Sequence, residues 1–286
     1  MQGTTGRRTG LGLAAATALT GLVACTSPAP SDGPGEDGPA ARGGSLTALR
    51  AAERATERAG SARVESTTTM GSLMSMRADG ALGWDGGMTG TLTITYTGGT
   101  VADTMRRLGS ASIQARYLPD AYYARMSEKF AEKTGGKRWI RYAYEDLEAL
   151  TGGSGAHVGD QMRGTTPNQS VKLLLSSGDV RKVGRETVRG RAATHWSGTV
   201  TAAAVTDAGL RRQLTEAGVT SETLDVWVDE RNLLVKKVEK ARTATGVMTQ
   251  TAHYADYGVP VRAQRPPLSE TGDFEDLLRE PPPSAP

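Results

Sequence analysis

Alternating apolar and polar positions dominate the middle of this sequence. In the clearest run, between Thr91 and Thr97, the apolar residues Leu92, Ile94 and Tyr96 alternate with threonines. A period of two places alternate side chains on opposite faces of a strand, so this run predicts a strand with one apolar face and one threonine face. Similar alternation between Gly, Pro and Asp turn signals predicts further strands at about 63–84, 112–126, 139–144, 180–200, 224–239 and 247–254.

A helical period of 3.6 residues appears in three other segments. The first begins at Ser45, a typical N-cap, and ends before Gly60. The second begins at Thr166-Pro167, because proline is favoured in the first helical turn, and ends near Gly178. The third covers about 206–217. The leucines on the inward stripes of the second and third helices are Leu174, Leu175, Leu210 and Leu214.

These elements predict the fold class. An antiparallel sheet with one apolar face needs a cover, and the inserted helices are the candidates for it. We therefore predict an α+β fold, a curved antiparallel sheet (half-barrel) with helices covering its concave face and an elongated apolar space between them. Leu174, Leu175, Leu210 and Leu214 are the candidate ligand-binding residues, chosen because they lie on the inward stripes.

The N-terminus predicts export and lipid attachment. Arg7 and Arg8 precede an apolar segment, 11–23, that is too short to span a bilayer as a stable helix, as in a signal peptide. The sequence Leu-Val-Ala-Cys at 22–25 resembles a bacterial lipobox, in which the cysteine receives a diacylglyceryl group and becomes the first residue of the mature chain. We predict a signal peptide at 1–24 and lipidation of Cys25. The two arginines leave both general secretion and twin-arginine export open.

The lipid anchor predicts a location and a domain layout. Two or more acyl chains hold a protein firmly on a membrane, so we expect tethering to the outer face of the cytoplasmic membrane. Residues 25–44 are rich in Pro, Gly, Ser and acidic residues and predict a flexible linker after the lipid anchor. The folded domain is predicted at 45–267 and a Pro-rich C-terminal tail at 268–286.

Composition narrows the function classes. The formal net charge is +3, and removal of Arg7 and Arg8 leaves the mature chain near neutral, which argues against a nucleic-acid surface. Cys25 is the single cysteine, so the stability of the domain depends on its core rather than on disulfides. Met, with 9 residues, is frequent, whereas aromatic residues make up 5%. A GC-rich genome and a loosely packed cavity lined by adaptable Met both fit this composition.

Several stretches together resemble a known family. They are the lipobox 22–25, the junction 59–64, the segment 193–200, the hairpin 225–240 and the segment 254–261. In their order and spacing the chain is similar to actinobacterial surface lipoproteins of the LppX and LprG type, within the LolA-like lipoprotein carrier superfamily. The resemblance covers about 45–267. It implies a half-barrel sheet whose helices close a hydrophobic cavity for lipid acyl chains, with no catalytic residues.

The sequence offers little for catalysis. The three histidines, His157, His195 and His253, are not at metal-ligand spacing, and the two in strands are interpreted as hydrogen-bonded structural residues. The Gly-rich segment 152–156 lacks the second glycine of a nucleophile elbow. We therefore expect no catalytic residue, metal or cofactor. The expected function is that of a lipid-anchored envelope protein that holds or transports a lipid or other hydrophobic ligand. The alternative is a protein-binding scaffold or regulator without a cavity, and an enzyme ranks last.

Overall fold

The computed structural model of the protein describes residues 39–146, 166–216, 218–243 and 246–279. These residues belong to the compact unit 37–286. The helices are α1 (Pro39–Ala59), α2 (Gly99–Arg107), α3 (Glu128–Lys133), α4 (Pro167–Leu175), α5 (Ala208–Glu216) and α6 (Phe274–Arg279). The strands are β1 (Ser61–Met70), β2 (Met74–Gly83), β3 (Thr89–Gly98), β4 (Ser112–Tyr117), β5 (Ala121–Arg125), β6 (Trp139–Ala143), β7 (Arg181–Val188), β8 (Arg191–Thr201), β9 (Ser221–Asp229), β10 (Leu234–Thr243), β11 (Gly246–Ala255) and β12 (Thr271–Asp273).

Within the described residues, the strands form one 12-stranded sheet in the order β12-β6-β5-β4-β3-β2-β1-β11-β10-β9-β8-β7. The pairing is antiparallel throughout, except that β12 runs parallel to β6. The sheet is open and curved. Gly80 in β2 lets β3 approach closely, because a Cβ built on it would lie 2.1 Å from the carbonyl oxygen of Thr91.

One face of this sheet carries the main hydrophobic core. Helices α1 and α4 pack against each other, and α4 also contacts β8, β9 and β10. Leu49 of α1 and Leu174 of α4 are fully buried against the strand residues Leu224 and Val226. The predicted α+β half-barrel with helices on one face is therefore confirmed. We call the helix-covered face the inner face and the opposite one the outer face.

The predicted register of β3 is also confirmed. Leu92 and Ile94 are buried in the core, and Tyr96 packs against it half-buried. Thr93, between them, is exposed. The strand therefore has the apolar and the threonine face that its alternation predicts.

The first helix begins earlier than the sequence predicts. It starts at Pro39 rather than at Ser45, so the last residues of the predicted linker, 39–44, are helical. Proline fits the first helical turn, where its missing N–H is not needed. Once the segment that follows is helical, extending the helix toward its N-terminus costs little free energy. The glycines at 43 and 44 are therefore included in the helix.

The C-terminal boundary is also different. The predicted irregular tail after 267 contains strand β12 and helix α6, which complete the edge of the sheet beside β6. Arg141 of β6 donates a hydrogen bond to Asp273 at 2.8 Å, and Phe274 stacks on Tyr142 with ring centroids 4.7 Å apart. A strand of three residues is too short to show periodicity, and its partner lies far away in sequence. Helices α2 and α3 were likewise not predicted.

The inner and outer faces of β3 should respond differently to a buried charge. We expect Ile94→Asp to unfold the domain, because an unpaired carboxylate in a core costs several kcal/mol. Thr93→Asp, one residue away on the exposed face, should change the melting temperature little. Equal losses of melting temperature in the two variants would contradict the register.

Candidate functional site

The inner face is closely packed beneath α4. Gly198 of β8 lies there, and a Cβ built on it would come within 2.8 Å of both the Leu174 side chain and the Ser177 hydroxyl. Only glycine lets the helix approach the sheet this closely. Leu174 and Val171 of α4 are 0% exposed as a result. This part of the inner face is a filled core.

Towards one end of the sheet the inner face is only half-buried. Met248 of β11, Met70 of β1 and Met74 of β2 form one cross-strand row, in which each residue is paired with the next. The adjacent row contains Met76 and Tyr96, which pair with each other across β2 and β3. All five side chains are partly exposed. We call these five residues the methionine end. Met105 of α2, also half-buried, packs against the main core, and α2 contacts β2 and β3.

The methionine end suits an apolar ligand of variable shape. Thioether side chains are flexible and polarisable, and proteins use them where an apolar surface must adapt to its partner. The alternating methionines at 74 and 76 are visible in the sequence. Their meeting with Met248 depends on the pairing of β1 with β11, which sequence periodicity does not reveal.

Tyrosines continue the inner face toward the other sheet edge. The ring centroids of Tyr117 and Tyr122 are 5.2 Å apart, and those of Tyr122 and Tyr142 are 5.5 Å apart. Burial raises the pKa of the Tyr142 hydroxyl to about 12 and that of Tyr122 further, so both stay neutral at physiological pH. The row is thus aromatic and uncharged.

A buried charged cluster interrupts the apolar inner face beside the methionine end. Lys237 of β10 is 3% exposed, and its ammonium donates to the Ser170 hydroxyl of α4 at 2.9 Å and to the Glu239 carboxylate at 2.8 Å. Glu222 of β9 is 7% exposed, and its carboxyl forms no hydrogen bond with a described residue. Burial opposes the charge of Lys237 most strongly, but attraction to Glu239, Tyr254 and Glu222 and the hydrogen bond to Glu239 together raise the pKa of the lysine. We call Glu222, Lys237 and Glu239 the buried charge cluster.

The surroundings of Glu222 favour the neutral, protonated form of its carboxyl group. Its burial, together with repulsion from Glu239, raises the pKa of the Glu222 carboxyl to about 8 against the partial opposition of Lys237. Lys237 and Glu239 then balance each other's charge, so the cluster has no net charge near pH 7. Such a cluster is compatible with the low-dielectric core, where an unbalanced charge would be costly.

This cluster was not identified from the sequence, although the alternation of β9 contains a signal for it. Glu222 shares its face with Leu224 and Val226, and Lys237 and Glu239 are likewise two residues apart on one face of β10. An ionisable residue that falls on the buried apolar face of a strand's alternation is unusual. This position could have identified the cluster from the sequence.

The four predicted leucines separate into two pairs. Leu174 and Leu214 are buried in the core, while Leu175 and Leu210 are half-buried at its margin. The two described pockets, of about 300 and 270 Å³, lie elsewhere, near the end of α1, and none of the four leucines lines them. Cys25, His157 and the segment 152–156 lie outside the described residues.

The other two histidines lie on the outer face. The ring nitrogens of His195 are 2.9 Å from Glu186 and 2.8 Å from Asp225, and its ring stacks on Trp227 with centroids 4.1 Å apart. The interpretation of His195 as a hydrogen-bonded structural residue is therefore confirmed. His253 pairs with Glu65 across β11 and β1, and burial lowers its pKa. In the described part of the chain, no three His, Cys, Asp or Glu side chains converge on a point where a metal ion would bind.

None of the described helices has the length and apolar character needed to cross a membrane. The fold and the inner face together define an open, curved sheet with helices on one side, the architecture of the lipoprotein LppX. The solved structure of LppX from Mycobacterium tuberculosis has a TM-score of 0.51 to this chain at 16% identity. The match covers 78% of this chain and 99% of LppX. The predicted resemblance to the LppX type is confirmed at the level of the fold.

Relatives in Streptomyces define the family more closely. The Streptomyces coelicolor protein named "Putative lipoprotein SCO4650" is 56% identical over 97% of this chain and 98% of its own length. A Streptomyces griseus protein, named only as an uncharacterised 31.2 kDa protein of the rplA-rplJ intergenic region, is 49% identical over 82% of this chain and 81% of its own. The chain belongs to the family of these Streptomyces proteins. No family model matches it.

The raised pKa of Glu222 predicts a pH-dependent stability difference. The folded protein keeps this proton up to about pH 8, whereas the unfolded chain releases it near the ordinary value of 4.5. The stability that this group contributes is therefore complete below about pH 4.5, declines as the pH rises, and levels off above 8. We expect Glu222→Gln, which does not titrate, to gain melting temperature relative to the wild type between pH 5 and 8.5.

A matched control is Glu132→Gln, which neutralises an exposed carboxylate. Its difference from the wild type should stay small and nearly constant over the same range. A constant difference for Glu222→Gln as well would show that the Glu222 carboxyl titrates normally in the folded protein.

Proposed function

We propose that this protein is a non-enzymatic, lipid-anchored envelope protein that holds a hydrophobic ligand on the inner face of its sheet. The observation that carries the proposal is the methionine end, where apolar side chains stay half-exposed on the face that carries the main core. An exposed apolar surface of this kind usually marks a binding site.

The arrangement of the inner face supports a binding role. Met76 and Tyr96 lie on the same face of the sheet as the tyrosine row, with the buried residues Leu92 and Ile94 of β3 between them. Both rows are apolar and uncharged, as an acyl chain requires. Leu175 and Leu210, half-buried at the margin of the core, border it in this proposal, while Leu174 and Leu214 hold their helices on the sheet.

The sequence before the fold supports the anchor. The lipobox-like residues 22–25 follow a signal-like segment, and a Streptomyces relative that matches nearly its whole length is named a lipoprotein. In the proposal, residues 1–24 are removed on export, Cys25 carries the lipid, and a linker leads to the helix that begins at Pro39. The domain then lies on the outer face of the cytoplasmic membrane.

A second candidate function is a protein-binding scaffold without a ligand. It is favoured by the filled core beneath α4, where Leu174 and Val171 are fully buried. Native mass spectrometry of the full chain carrying Cys25→Ser separates the two candidates, because a carrier should retain co-purified lipid and a scaffold should not. A protein without bound lipid that also takes up none from added vesicles would overturn the carrier proposal.

The anchor predicts a change of location. Cys25→Ser removes the thiol that would be acylated, so we expect the protein to move from the detergent phase to the aqueous phase on Triton X-114 partitioning. The circular dichroism spectrum should be unchanged, since Cys25 precedes the described domain. If the variant stayed in the detergent phase like the wild type, the lipidation assignment would be wrong.

Bulky substitutions should separate ligand space from filled core. We expect Met76→Trp and Leu175→Trp to reduce the lipid extracted per mole of protein with little loss of melting temperature, because both positions are half-buried. Leu174→Trp, fully buried next to Leu175, should instead overpack the core and cost about 1–3 kcal/mol. If all three variants lost stability and the wild type contained no lipid, the scaffold would be the better function.

A further inference from the structure

The methionine end and the buried charge cluster lie side by side on the inner face. Glu222 pairs with Ala241, and Ala241 pairs with Met248, so Glu222 stands in the methionine row. Glu239 pairs with Gln250, which pairs with Thr68, in the row that continues to Met76. Neighbouring strands are about 5 Å apart, so the carboxyl groups and the thioethers lie within one small ligand's length.

The hydrogen-bonding groups in this place are not all used. Glu239 accepts a hydrogen bond from Lys237 through one of its carboxylate oxygens, and its side chain is 14% exposed. The Gln250 amide is half-buried and has a long 3.5 Å contact to the Thr68 hydroxyl. Glu222 is more than nine-tenths buried and forms no hydrogen bond with a described residue. A ligand in this place can therefore form hydrogen bonds with these groups.

We propose that Glu222, Glu239 and Gln250 form a polar subsite for the uncharged, hydroxyl-bearing head group of an amphipathic ligand whose apolar chain lies on the methionine end. This inference rests on the proposed function and adds the class of ligand. A hydroxyl both donates and accepts, so it can donate to Glu239 and accept from a protonated Glu222 or from the Gln250 amide.

Charge decides against the other head groups. A phosphate or carboxylate would face the Glu239 carboxylate, with Lys237 already engaged by Glu239 and Ser170. A cationic head group would lie close to the Lys237 ammonium. A glycerol or sugar head group meets neither repulsion and matches the mixture of donors and acceptors.

The test compares three probes with similar chains and different heads. The full chain carrying Cys25→Ser is incubated with monoolein, oleate or 1-octadecene, and bound probe is measured by native mass spectrometry. We expect monoolein to bind about tenfold more tightly than 1-octadecene, which is the effect of one or two net hydrogen bonds, and more tightly than oleate. Gln250→Met replaces the amide by an apolar chain of similar length, so it should remove most of the preference for monoolein over 1-octadecene.

The matched control is Thr249→Met, on the neighbouring residue whose side chain lies on the opposite face of β11. Thr249→Met should keep the preference for monoolein. If Gln250→Met lost the preference through general destabilisation, Thr249→Met should lose it as well. Equal binding of all three probes, stronger binding of oleate, or an unchanged preference in Gln250→Met would each overturn the polar subsite and leave the carrier proposal intact. Failure of all three probes to bind would overturn the carrier proposal and the subsite together.

Discussion

A sheet of twelve strands with one apolar face has to cover that face, and the described helices are too few and too short to cover all of it. Helices α1 and α4 cover the part formed by β8, β9 and β10, where Gly198 lets α4 approach closely. The methionines of β1, β2 and β11 at the end of the sheet remain half-exposed. The filled core and the half-open surface are therefore two consequences of the same unequal coverage.

The buried charge cluster links these two parts. Lys237 binds Ser170 of α4 on one side and Glu239 on the other, so the helix is attached to the sheet at a polar point as well as by apolar packing. Apolar contacts only weakly oppose sliding of the helix along the sheet, whereas the buried Lys237 ammonium needs its hydrogen-bond partners at fixed positions. Buried ion pairs contribute little net stability compared with apolar residues of similar size. The cluster is thus better explained by what it positions than by the stability it adds.

The sequence predicts the elements that carry their own periodicity. The alternation of Leu92, Ile94 and Tyr96 fixes the faces of β3, and the proline at 167 marks the start of α4. The sequence does not predict elements that are defined by distant partners. One such element is β12, whose three residues pair with Trp139 and its neighbours. The candidate site is not predicted from the sequence for the same reason, because Met248 and Met70 become neighbours only when β11 pairs with β1. The inward leucines are found, but helical spacing does not distinguish a filled core from a ligand surface.

The alternation of a strand also explains why apolar and polar recognition can meet in one place. Met248 and Gln250 are two residues apart on β11, so both point to the inner face. The same spacing places Glu239 and Ala241 together on β10, and Thr68 and Met70 together on β1. Each of these three strands therefore contributes one residue to a polar row and the next inward residue to an apolar row. On β9 the order is reversed, because Glu222 lies in the methionine row and Leu224 lies in the row of Glu239. A ligand lying along β10, β11 or β1 therefore passes from polar to apolar side chains within two residues. An amphipathic molecule oriented along these three strands contacts both kinds of side chain at once.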